Sequence, residues 1–388
     1  MVKINYSIIA VVSVVIVVVV AIGFAVYGNT FDKPVDSTEK SGLTVTDMTG
    51  RTVTLNAPVE RIVLTESSKT AELAAIVGDG FAEKIVGWDR DIKQNAGDEY
   101  AVFVAKYPQL AEIPDVGSLD DGTFSIEKVI SLKPDVVIMH NWQFMWAGDA
   151  TRDALAKLEL AGIPVVFVDF YMDPMVNSTK SMLLLGKILD REDRAREIVD
   201  FYNEQTGIVY SRLATVNGTG PSVYIECASK DPSDYGISYG DVSWGSIVKK
   251  AGGKNIAEPL LAGTSKALSP EYLISRNPDT IILTGRNWST PGSLKLGYTT
   301  TPEVARSTMT GFVQRPGWDT INAVKNHEVY GIYHGYCFSI YNFAALEAFA
   351  KWFYPDLFGD VDPDAVLREY HDRFMPVDYS GTFVYRYS

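Results

Sequence analysis

From Asp190 to about Val216, apolar or small residues recur at helical spacing: Ala195, Ile198, Val199, Tyr202, Thr206, Val209 and Leu213. Charged residues fill the other faces, among them Arg191, Arg194, Arg196, Glu197, Asp200 and Glu204. The pattern predicts one long helix over 190–216. Asp190 caps it, Glu192 and Asp193 sit at the positive end of its dipole, and Asn217-Gly218-Thr219-Gly220-Pro221 stops it. At about 1.5 Å per residue it spans roughly 35–40 Å, the width of a domain.

The chain on either side of this helix reads as two versions of one unit. Ser125-Ile126-Glu127 leads through Lys133-Pro134-Asp135 into Val136-Val137-Ile138. Ser269-Pro270-Glu271 leads through Asn277-Pro278-Asp279 into Thr280-Ile281-Ile282. In both, a Ser caps a short helix with Glu in its first turn, a Pro-Asp turn stops it, and a β-branched run starts a buried strand.

Elsewhere the periodicity predicts a hairpin over 44–55 around Thr49-Gly50-Arg51. Strands are expected at 61–65, 84–88, 113–117, 135–139 and 164–169, with helices at 70–77, 152–161 and 177–189. Beyond the long helix come strands at 222–227, 280–283 and 328–333, and helices at 246–251, 340–353 and 364–374. The Tyr-rich stretch Met375 to Ser388 has no clear pattern. Strand–helix alternation on both sides predicts an α/β protein of two parallel-sheet lobes, 44–189 and 217–388, joined by the helix 190–216.

At the N-terminus, Ile8 to Tyr27 is an uncharged apolar run. It is longer than the 7–15 residues of a signal core, so a transmembrane anchor over 1–28 is favoured over a cleaved signal. Lys3 before it and the absence of Lys or Arg until Lys33 place the body outside the cytoplasm, after a polar tether over 29–43. The net charge of −13 argues against nucleic acid as a partner. Two cysteines, Cys227 and Cys337, exclude a disulfide scaffold and leave open whether they pair. Of four histidines, none forms a two-His helical pair or a Cys-His cluster, which disfavours a bare-metal receptor; His327 and His371 read as surface residues.

The opening Thr46-Asp47-Met48-Thr49-Gly50-Arg51-Thr52-Val53-Thr54-Leu55 with Pro58, then Arg61-Ile62-Val63, then both repeat windows, resembles the class III solute-binding proteins of ABC importers, over roughly Leu43 to Phe374. That resemblance implies two α/β lobes bridged by one helix, and a ligand that is a ferric siderophore, haem or a corrinoid. It also implies a permease with its ATPase as partner, and Glu127 and Glu271 as the docking carboxylates, one per lobe. The protein is expected to act as a monomer, to carry no resident cofactor and to perform no chemistry. It departs from common members in having an apolar run without a lipid-bearing Cys and in its Tyr-rich tail.

In open parallel sheets ligands bind beyond the carboxyl ends of the strands. The residues following the strands are therefore the candidate ligand contacts. In the first lobe these are Glu66, Ser67, Ser68, Trp88, Arg90, Trp142, Trp146 and Tyr171. In the second they are Tyr235, Tyr239, Trp244, Arg286, Trp288, His334 and Tyr336. Aromatic faces suit a large chelate or macrocycle, and Arg suits carboxylates or an anionic chelate. His334 and Tyr336 are also weighed as direct iron ligands, against the simpler role of hydrogen bonding in the cleft. No Gly-x-Ser-x-Gly, Walker loop, Gly-x-Gly-x-x-Gly or His-Glu-x-x-His motif occurs, so an anchored α/β enzyme acting on such a chelate is the weaker alternative.

Overall fold

The computed structural model describes residues 42–146 and 148–388. The apolar run expected to anchor the chain, and the tether after it, lie outside the described residues. Among the described residues no helix is long and apolar enough to cross a membrane.

The chain enters through an antiparallel hairpin, β1 (Gly42–Thr46) and β2 (Thr52–Asn56), with Val45 opposite Val53. Gly50 takes φ 83° in its turn, which only glycine adopts freely. Next come β3 (Ile62–Leu64), β4 (Ile85–Trp88), β5 (Val136–His140) and β6 (Val165–Val168), all parallel in the order β4-β3-β5-β6. Every residue of β5 and β6 is buried, as a parallel sheet covered on both faces requires. Beyond the long helix lie β7 (Ser222–Cys227), β8 (Ser238–Tyr239), β9 (Lys254–Asn255), β10 (Ser265–Lys266), β11 (Thr280–Gly285), β12 (Val329–Tyr333) and β13 (Val384–Arg386). Five of them form a second sheet in the order β13-β12-β11-β7-β9, and β8 pairs with β10 as a small ribbon. Only β13, the end of the Tyr-rich tail, runs antiparallel in the second sheet. The α/β reading and its two parallel sheets thus hold.

The strand expected at 113–117 reduces to a single bridge between Trp88 and Asp115. Besides several shorter ones, two helices of ten residues or more escaped the pattern reading, Gly97–Lys106 and Pro302–Val313. The second carries start signals that could have revealed it: Thr301 caps Val304 N, Pro302 follows, and Glu303 lies in the first turn.

The long helix runs from Glu192 to Leu213, 22 residues and about 33 Å. It buries Ala195, Ile198, Val199, Tyr202, Thr206 and Val209 as expected, while Leu213 is only half-buried. Asp190 does not cap it. Asp190 takes φ 55°, and Arg191 N donates to Gly186 O at 2.8 Å. That is the left-handed closure of the preceding helix, Pro174–Ile188, so Asp190 ends one helix instead of starting the next. The two helices pack so closely here that a Cβ on Gly186 would lie 2.3 Å from the Ala195 Cβ.

The halves before and after the long helix meet along a buried polar seam. The helix Gly97–Lys106 supplies Asp98, which accepts from Tyr298 N at 2.7 Å, and Glu99, which accepts from Arg286 Nη2 and the Tyr333 hydroxyl, both at 3.1 Å. Glu72 accepts from Ile340 N at 3.2 Å. Asn342 accepts from the Tyr202 hydroxyl at 2.7 Å and donates to Ser178 Oγ at 2.8 Å. The cysteines are both buried and do not pair; Cys337 Sγ lies 2.8 Å from Ser243 Oγ.

Candidate functional site

Parallel strands within one sheet bring their carboxyl ends to one edge, and here the edges of the two sheets border one cleft. It encloses about 670 Å³. Its first wall carries Glu66 and Ser68 after β3, Asp89 and Asp91 after β4, Trp142 and Gln143 after β5, and Tyr171 after β6. The second carries Cys227 at the end of β7 with Ser229 and Lys230 after it, Arg286 and Trp288 after β11, and His334 and Phe338 after β12. Asp120 also lines the cleft, from the loop before the first repeat helix.

Several of these groups are fixed by their neighbours. Glu66 accepts from Ser68 Oγ at 2.9 Å and from the Trp142 indole N–H at 2.8 Å, which orients that ring. The buried Lys69 ammonium stands 3.8 Å from Glu66 and 4.0 Å from Glu72. Tyr171 and Phe338 stack across the two halves, with centroids 4.7 Å apart. His334 lies 5.2 Å from the Trp288 ring centroid and shares a 2.7 Å hydrogen bond with Thr284 Oγ1. Burial, with the nearby Arg286 charge, pushes the His334 pKa down to about 3, so its ring is neutral at physiological pH. Arg286 is 5% exposed; its Nη2 donates to Glu99, and its Nε has no partner among the described residues.

Two carboxylates lining the cleft, Asp89 and Asp120, are perturbed upward. Burial, then the charge of Asp91, raises Asp89 well above the usual carboxylate range. Desolvation, then Glu66, Asp91 and Asp121, raises Asp120 to about 6. Glu99 in the seam is raised by its burial, and Arg286 offsets part of that.

Of the expected contacts, Glu66, Ser68, Trp142, Tyr171, Arg286, Trp288 and His334 line the cleft. Others do not. Ser67 turns inward, where its N–H donates to Asp89 at 2.8 Å and its hydroxyl accepts from Ile92 N at 2.8 Å. Trp88 is core, edge-on to Tyr100 at 6.3 Å, and Arg90 pairs with Asp115 at 3.5 Å. Tyr239 and Trp244 are buried core residues. Tyr235 lies beside Trp318, whose indole donates to its hydroxyl at 2.9 Å. Tyr336 is fully buried and stacks on Phe383, which removes it as an iron ligand reaching a cargo in the cleft. The side chain of Trp146 falls outside the described residues. His371 is not a surface residue. It is buried, and its Nε2 lies 3.0 Å from the Tyr298 hydroxyl.

After β4 it is Asp89 and Asp91 that line the cleft, while Trp88 before them and Arg90 between them do not. Among the described residues, no group of three or more His, Cys, Asp or Glu is arranged to hold a metal ion.

The repeat windows are alike in detail. Ser125 Oγ accepts from Lys128 N and Ser269 Oγ from Tyr272 N, each at 3.2 Å. Lys133 and Asn277 turn the corner with φ 48° and 46°. Asp135 Oδ2 accepts from Arg61 N at 3.0 Å, and Asp279 Oδ2 from Ser222 N at 3.0 Å, so each aspartate ties down the start of the neighbouring strand. Ser, Pro and Asp thus have local structural work. Glu127 and Glu271 stand exposed at the first helical turns. Each helix leads back to the amino end of its strand, so each Glu lies toward the carboxyl ends, the edge on which the cleft opens.

Comparison with known proteins agrees with this geometry. The family model described as periplasmic binding protein matches residues 62–334. The crystal structure of the TroA-like periplasmic binding protein FepB from Veillonella parvula superposes with a TM-score of 0.81 at 34% identity, covering 89% of this chain and all of that one. The uncharacterized ABC transporter substrate-binding lipoprotein YvrC of Bacillus subtilis (strain 168) is 27% identical over 80% of this chain and 86% of its own. The molybdate-binding protein MolA of Haemophilus influenzae is 22% identical over 86% of this chain and 91% of its own. With two parallel sheets bridged by one helix and a cleft at the strand ends, the chain belongs to the periplasmic binding protein family, the substrate-binding proteins of ABC transporters, in its class III form.

Proposed function

We propose that this protein captures a bulky metal chelate, of the ferric siderophore type, in the cleft and hands it to an ABC permease driven by its ATPase. The observation that carries the reading is the cleft itself. About 670 Å³ between two sheets, lined by Trp142, Tyr171, Trp288 and Phe338 and by charged groups, matches a ligand of tens of atoms and not a bare ion. A corrinoid or haem fits the aromatic walls on similar grounds and is the second reading.

The two sheets with their helices act as lobes, 44–189 and 217–388, and the polar seam behind the cleft keeps their relative movement small. Glu127 and Glu271 dock onto the permease. The body lies outside the cytoplasm, held at the membrane by the N-terminal segment; the lipoprotein YvrC supports such a location. No step of chemistry is assigned to the cleft.

Absorbance of the purified full chain tests the ligand class. A ferric charge-transfer band, a Soret band or a corrin spectrum would each name one, and a colourless protein that binds none of these on addition would defeat the reading. Replacing both docking carboxylates, Glu127→Ala with Glu271→Ala, is expected to abolish uptake and leave ligand affinity within about twofold. Continued uptake by the double variant would remove the docking assignment.

A further inference from the structure

The charges around the cleft are not the ones an anionic cargo would need. On the first wall stand Glu66, Asp89, Asp91 and Asp120. On the second stand Lys230 and Arg286. Arg286 is already paired with Glu99 at 3.1 Å, both side chains being 6% exposed, so most of its charge is spent inside the seam. Lys69 is shared by Glu66 and Glu72, which leaves that trio one negative charge in excess. Arg90 is turned to Asp115. His334 is neutral. Asp89 is buried, held by Ser67 N and Asp91 N and raised well above the usual carboxylate range, so it adds little charge. What remains toward the cleft is Asp91 and Asp120, with the excess on the Glu66 trio, against Lys230.

Two further features read in the same direction. An aromatic ring beside a carboxylate, here Trp142 held by Glu66, forms the combination that attracts organic cations through both charge and ring quadrupole. And Arg286 is 5% exposed, with its Nε enclosed and without a partner among the described residues, so the guanidinium presents little charge to the cleft.

We infer that the cargo is a chelate of net positive charge, with an ammonium or other cationic group set against the Asp91–Asp120 wall. The inference rests on the reading of this protein as a chelate receptor, and it excludes polyanionic chelates and free oxyanions as its principal cargo. Molybdate, the ligand of the relative MolA, would leave most of the cleft unfilled and face uncompensated carboxylates.

The test uses the solubilised full chain and quenching of its tryptophan fluorescence, since Trp142 and Trp288 line the cleft. Three probes are compared: a ferric trihydroxamate bearing a free ammonium arm, a trianionic ferric tricatecholate, and molybdate. The cationic complex is expected to bind at least about tenfold more tightly than the tricatecholate at low salt, and the gap should narrow as salt is added. The double variant D91N/D120N should bring the two affinities together, and D91K/D120K should reverse their order. Circular dichroism confirms that the variants are folded, and the wild-type ranking stands without them. A tighter tricatecholate would overturn the charge inference and leave the chelate reading standing. Molybdate binding most tightly, or no binding by any probe, would overturn both.

Discussion

On the wall built from the first sheet, the charged residues that follow the strands are Glu66, Asp89 and Asp91. On the facing wall they are Lys230 and Arg286, beside the neutral His334. Along the two repeat windows, by contrast, the halves are nearly superimposable in chemistry: a Ser cap, a left-handed corner and an aspartate pinning the next strand. The difference separates two jobs. Residues that close a helix or start a strand answer to backbone geometry, which is the same in both halves. Residues beyond the strand ends answer to what enters between them, and there the halves have opposite sign.

The strongest way to break this contrast is to cut the link that crosses it. Glu99→Ala leaves the Arg286 guanidinium buried without its partner and should destabilise the fold by about 3–5 kcal/mol, read by chemical denaturation. An unchanged midpoint would mean that the halves do not depend on that pair. Next in size are the caps, where the halves should behave alike. Ser125→Ala and Ser269→Ala should each cost about 1 kcal/mol, and a large inequality would show that the two corners are less equivalent than their geometry.

The smallest effect concerns the walls directly. Asp120 titrates near 6 in the unliganded protein, and Asp89 is raised also. Glu66, Asp91 and Asp121 face Asp120, and a bound cation favours its ionised form. The complex therefore holds fewer protons than the free protein, and affinity for a cationic ligand should rise severalfold as pH increases through 6, then level off. His334, at about 3, contributes nothing over that range. Asp120→Asn should flatten most of the step, and a titration that fell with pH would contradict the sign assigned to the wall.

How far the sequence foretold this molecule depends on the range of the interactions involved. The helix Thr70–Val77 and the strand Ser222–Cys227 lie at the expected bounds, because their signals are local. So does the pairing of 44–55 as a hairpin, save for residues 42, 43 and 56 at its ends. The strand-end rule named loops that border the cleft. It could not choose between neighbours such as Asp91, which lines the cleft, and Arg90, which is drawn to Asp115 instead. Tyr336 and Trp244 were misplaced for a related reason: an aromatic next to glycine in a loop reads as available, and only the packing against Phe383 or Phe349 shows that it is occupied. Glu99 gave no local sign at all. Its importance comes from Arg286, 187 positions further along the chain.

The last strand has a consequence for handling this protein. β13 lies along the outer edge of β12, with Tyr385 opposite Gly331, and Tyr379 and Phe383 pack beneath it. Without those final residues, the second sheet would end in a row of unpaired backbone donors and acceptors above an uncovered aromatic patch, a surface prone to self-association. Shortening the chain at that end therefore trades solubility for nothing, and fusion tags belong elsewhere.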